Sequence, residues 1–69
     1  MYNKEDYRSN KESIVKHYEK RGLKDMASYS AMTGIPVVVV YELLQEEYPE
    51  LEKELSDRIK AINDFFGIK

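Results

Sequence analysis

Few residues in this chain combine the type and spacing that chemistry requires. His17 is the single histidine, and there is no cysteine. Zinc takes three or four protein ligands, mostly His and Cys. No second such ligand keeps helical spacing with His17, which reads as a solvated surface side chain in the charged stretch Lys16-His17-Tyr18-Glu19. Ser28 and Ser30 have no His or Lys placed to activate them, and a nucleophile needs a base within reach. They read as packing serines. Glu46, Glu47, Glu50, Glu52, Glu54 and Asp57 crowd carboxylates together. Acid–base work would need a cleft to shift a pKa, and the pattern implies a solvated helix face instead. Lys16, Lys20, Arg21 and Lys24 are the best phosphate-contact candidates, although a helix C-terminus attracts cations through its dipole in any case. The expectation is a protein with no catalytic residue, cofactor, metal or small-molecule ligand.

The bulk properties narrow the class further. A chain of 69 residues is one domain, 1–69. Without cysteine it has no disulfide staple, which fits a reducing compartment. The longest apolar run, Ile35 to Tyr41, is far short of a membrane span. The stretch MYNKEDYRSNKES has no apolar segment behind its charges, so no signal peptide is expected. A cytoplasmic protein with no membrane contact is the simplest reading. Net charge is −2, unevenly spread. Residues 1–25 hold seven Lys/Arg (Lys4, Arg8, Lys11, Lys16, Lys20, Arg21, Lys24) against five acids. Residues 26–69 hold four against eight. Any nucleic-acid face would therefore have to come from the first third.

Glycine and proline punctuate the chain into four helical segments, near 4–21, 24–33, 36–47 and 50–66. The first begins at either of two signals. Ser9 with Glu12 matches a capping box, and Asn3 with Asp6 is a weaker one. Tyr7, Ile14, Val15 and Tyr18 share one face, and Gly22 supplies a left-handed stop. The second carries the small face Met26, Ala27, Ser30 and Ala31, and Gly34 ends it. The third opens on Pro36, suited to a first turn. Its run Val37-Val38-Val39-Val40 favours a strand by propensity. Helix prevails because good helix formers continue the segment and no second strand is available to pair with it. The fourth opens on Pro49. Its apolar stripe is Leu51, Leu55, Ile59, Ile62 and Phe66, Glu54 and Arg58 are placed to pair, and Gly67 ends it.

Residues 23–47 resemble a helix-turn-helix unit. In that motif a small residue precedes a turn glycine by four, an aliphatic follows the glycine, and aliphatics recur on the next helix. Here these are Ser30, Gly34, Ile35, Val40 and Leu43. The resemblance implies an all-α, small four-helix domain with a helix-turn-helix-like core, of the kind found in small phage or bacterial regulators.

If Ile35, Val40 and Leu43 face inward, the outward face of the third helix is Pro36, Val37, Val38, Tyr41, Glu42 and Gln45. A helix that reads DNA offers Arg, Lys, Asn, Gln, Ser or Thr there. This one offers valines, a tyrosine and a glutamate. Val37, Val38 and Tyr41 would form an apolar patch rimmed by Glu42 and Gln45, the build of a protein interface. The partner would be a second copy, giving a dimer, or a different protein. The competing reading is that the helix is buried all round, as a helix apolar all round must be. The function expected first is therefore a non-enzymatic regulatory or adaptor module acting by protein contact. A DNA-binding regulator using Lys16, Lys20, Arg21 and Lys24 ranks second.

Overall fold

The computed structural model describes residues 3–66, without the side chain of Phe66. Gly67 as a helix stop, Phe66 as a stripe member and Tyr2 lie outside the described residues. Four α-helices carry the fold: α1 Lys11–Arg21, α2 Met26–Thr33, α3 Val37–Glu47 and α4 Glu52–Phe66. Three 3₁₀ segments complete it: an N-terminal arm Lys4–Asn10 and the turns Leu23–Asp25 and Pro49–Leu51. Among the described residues there is no strand. The valine run is helical, as the continuing helix formers required.

The first segment is not one α-helix. Of the two start signals, Asn3 is the one used: its Oδ1 accepts the Glu5 N–H at 2.9 Å. The chain then winds as 3₁₀ until Asn10, and Ser9 makes no cap at the start of α1. Gly22 ends α1 with φ +85°, and its N–H donates to Tyr18 O at 2.7 Å. Its ψ of 172° lies in the extended positive-φ region that only glycine favours, not in the left-handed helical one.

The turn between α2 and α3 is three residues long, Gly34 to Pro36. Gly34 sits at φ +81°, ψ 1°, in the left-handed region, and its N–H donates to Ser30 O at 2.9 Å. The Ser30 hydroxyl donates to Ile35 O, and Thr33 Oγ1 donates to Tyr29 O at 2.8 Å. Ile35 precedes a proline, which biases it away from helical backbone and helps stop α2. Pro36 stands one residue earlier than expected. It caps α3 with its carbonyl, which accepts from Val40 N–H at 3.1 Å, and the helix begins at Val37. Pro49 opens the 3₁₀ turn ahead of α4.

The core consists of Ile14, Met26, Tyr29, Ile35, Val39, Val40, Tyr41, Leu43, Leu44 and Leu55. Half of these are from α3. Helix α3 is the central element, with α1, α2, α4 and the arm all packed on it. This corrects one sequence expectation. Tyr41 is only 4% exposed, a core residue and not part of an outward patch. The reason is geometric: four neighbours surround an eleven-residue helix, leaving Val37, Val38, Glu42 and Gln45 half-buried and only Glu46 and Glu47 exposed. Along α4, Leu55 is fully buried, while Leu51, Ile59 and Ile62 pack at the edge of the core. Among the described residues, no helix is long and apolar enough to cross a membrane.

Candidate functional site

The α3 residues expected to form an interface are held in four different ways. Val37 and Val38 are half-buried at the start of the helix. Tyr41 is in the core. Gln45 is used internally, its amide donating to Ser56 Oγ at 2.9 Å and to Glu52 O at 3.3 Å, which ties α3 to α4. Glu42 is half-buried one turn beyond Val38. The apolar patch therefore reduces to Val37 and Val38, bordered by Glu42.

Beside that flank lies a charge cluster that sequence reasoning missed. Lys4, Arg8 and Lys11 converge on Glu46. The distances are 2.9 Å from Lys4 Nζ to Oε2 and 3.4 Å from Lys11 Nζ to Oε1, and the Arg8 guanidinium engages both carboxylate oxygens. Arg8 also grips Glu5, and Lys11 reaches Glu47 at 3.7 Å. Hydrogen bonds from Arg8, then from Lys4, hold the Glu46 carboxyl down at about 2. The spacing i, i+4, i+7 was visible in the sequence. What hid the cluster was its partner, 35 to 42 residues away along the chain. No local pattern reports which helix end the arm will reach.

Glu46 yields a pH prediction. A carboxyl titrates near 4.3 in an unfolded chain, and here it is lower in the folded one. Its stabilising contribution is thus complete above the unfolded value and is lost as pH falls through the folded one. Thermal melts of wild type should lose stability between about pH 5 and pH 2. Glu46→Gln should melt below wild type at pH 7 and converge on it at the acid end. Parallel curves across that range would show that the cluster contributes nothing.

The cation candidates divide. Lys16 pairs with Glu12 at 3.1 Å. Lys20, Arg21 and Lys24 are exposed at the α1–α2 corner and have no ion pair among the described residues. Arg58 and Glu54 pair at 3.8 Å, as their spacing implied. No family model, curated protein or solved structure matches this chain. What the site can do rests on its own geometry.

His17 is a second correction. It is not a solvated surface side chain but is half-buried between α1 and α2. Its Nε2 lies 2.7 Å from Asp25 Oδ2, and its ring is 4.6 Å from that of Tyr29. The Tyr29 hydroxyl in turn meets Ser13 Oγ at 2.8 Å. Ser13 and His17, like Asp25 and Tyr29, are spaced i, i+4, and the crossing of the two segments brings the pairs together. The serine bonds the tyrosine and not the histidine, so this is a packing network and not a nucleophile with its base. The Tyr48 ring lies 4.9 Å from that of Tyr18 with the planes tilted by 53°, and its hydroxyl donates to Glu19 at 3.1 Å. Burial and then this carboxylate push its hydroxyl upward. Among the described residues, no three His, Cys, Asp or Glu side chains gather in a way that could hold a metal ion.

Proposed function

We propose that this chain is a non-enzymatic regulatory or adaptor module of the cytoplasm, built on a helix-turn-helix-like core and acting by protein–protein contact along the open flank of α3. What supports it is the charge of that helix. Helix α3 has no Lys or Arg and carries three acids, Glu42, Glu46 and Glu47, and the cations beside it, Lys4, Arg8 and Lys11, are taken up in ion pairs with Glu46 and Glu47. A duplex carries one negative charge per about 1.7 Å of axis, so a helix with acids and no cation of its own is poorly suited to meet it. Val37 and Val38 offer instead a small stiff apolar centre beside an acidic border, which suits a protein surface.

The Gly34 turn, three residues between two helices with a left-handed glycine, is what supports the helix-turn-helix likeness. The second reading, a DNA-binding regulator, is favoured by one observation: Lys20, Arg21 and Lys24 stand exposed and unpaired among the described residues. Titration with duplex DNA at physiological salt separates the two. The expected result is no specific complex tighter than the non-specific range of about 10⁻⁴–10⁻⁶ M. Tighter binding whose salt dependence falls on mutating Lys20, Arg21 or Lys24 promotes the second reading. Val38→Glu should abolish association with the protein partner, or with a second copy, while leaving the helical circular dichroism spectrum intact. Retained association with an intact spectrum would remove α3 as the contact surface.

A further inference from the structure

We propose that the Lys4–Asn10 arm is a charge-latched strap over the acidic flank of α3, and that a basic segment of a partner protein displaces it. The identification of the occupant as a protein segment rests on the function proposed above.

The arm is held differently from the rest of the chain. None of its residues is buried, and Tyr7 is its one half-buried apolar contact to the core. It runs seven residues as 3₁₀, whereas such runs seldom exceed three or four because their hydrogen bonds are poorer. What remains to hold it is charge. Lys4 and Arg8 reach across from the arm, and Lys11, the first residue of α1, joins them on Glu46. The Lys4 and Arg8 side chains are each 40% exposed, so salt screens their attraction. The ten core residues include none from the arm. Lifting it uncovers the Tyr7 contact and one side of α3 but removes none of the ten core side chains.

A lifted arm strips Glu46 of Lys4 and Arg8. Glu42 and Glu46 then stand one turn apart on α3, with Glu47 alongside and Val38 one turn before Glu42. Lys11 stays on Glu46 and Glu47, and the seated arm shows which chemistry fits the rest of that rail: two cations spaced four residues apart, Lys4 and Arg8, with the aromatic Tyr7 beside them. A basic segment from another protein would make the same contacts but must compete with a tethered occupant at high effective concentration. Its apparent affinity falls by the fraction of molecules whose strap is open.

The test is a titration of the full chain with a labelled oligoarginine peptide at low salt, with oligoglutamate as control, read by anisotropy and by amide chemical shifts. Lys4→Ala/Arg8→Ala should bind oligoarginine about ten-fold tighter than wild type, with shifts centred on residues 38–47. Glu42→Gln, which leaves the latch on Glu46 in place, should weaken binding, and circular dichroism should show all variants helical. Equal affinity for wild type and the double variant would overturn the strap. So would shifts centred on the acids of α4, or a dimer formed by exchange of arms. The two proposals fail separately. Tighter oligoarginine binding after arm release, with Val38→Glu harmless to partner association, removes the function and keeps the strap. Loss of association in Val38→Glu, with no effect of arm release, removes the strap alone.

Discussion

Leu55→Ala should lower the stability of the domain by roughly 2–5 kcal/mol, the range for truncating a buried leucine. Leu55 is fully buried at the middle of α4, where it packs into the same core as Leu43 and Leu44. Its neighbours on the α4 stripe, Leu51, Ile59 and Ile62, are only partly buried. Among the described residues, Leu55 is therefore the one fully buried side chain of the last helix. A domain has about 0.05–0.15 kcal/mol of stability per residue, or about 3–10 kcal/mol for 69 residues. The substitution thus removes a large share of the total. At this size each kcal/mol moves the melting temperature by about 4–8 °C, so calorimetry should show a fall of at least about 8 °C. An unchanged midpoint would mean that α4 does not dock through this face.

Val40→Glu should unfold the chain, in contrast to Val38→Glu. The two positions are two residues apart on the same helix, yet Val40 is fully buried and Val38 is not. A carboxylate at position 40 would enter a cluster of Ile, Leu, Met, Val and Tyr side chains with no cation among them. Burying an unpaired charge costs several kcal/mol even after relaxation, comparable to the whole stability of the domain. At position 38 the new carboxylate reaches solvent beside Glu42, and the helix should persist. Circular dichroism and melting of the two variants side by side check this. If both unfold, the 38–42 flank is as closed as the core, and no interface remains on α3. If both fold, α3 is not the central helix.

Amino-acid sequence alone determined much of the architecture, because the relevant forces act within a few residues. Gly22 and Gly34 were legible as stops, since positive φ suits glycine and little else. Leu51, Leu55, Ile59 and Ile62 were legible as one face, since helical period is local. The valine run was assigned to helix against its own propensity by the good helix formers that follow it, and the folded chain agrees.

Tertiary structure decided which faces are covered. Tyr41, Gln45 and Glu42 lie on one side of an ideal helix and looked equally outward. Packing sends Tyr41 into the core, ties Gln45 to α4 and leaves Glu42 half-open. His17 looked solvated until the crossing of α1 and the segment before α2 gave it Asp25 and Tyr29. The Glu46 cluster depends on an arm folding back along α3, and its partners are 35 to 42 residues from Glu46 in sequence. Periodicity tells which residues share a face. Which neighbour covers that face is set by the summed packing of the whole chain, and no short stretch of sequence carries that information.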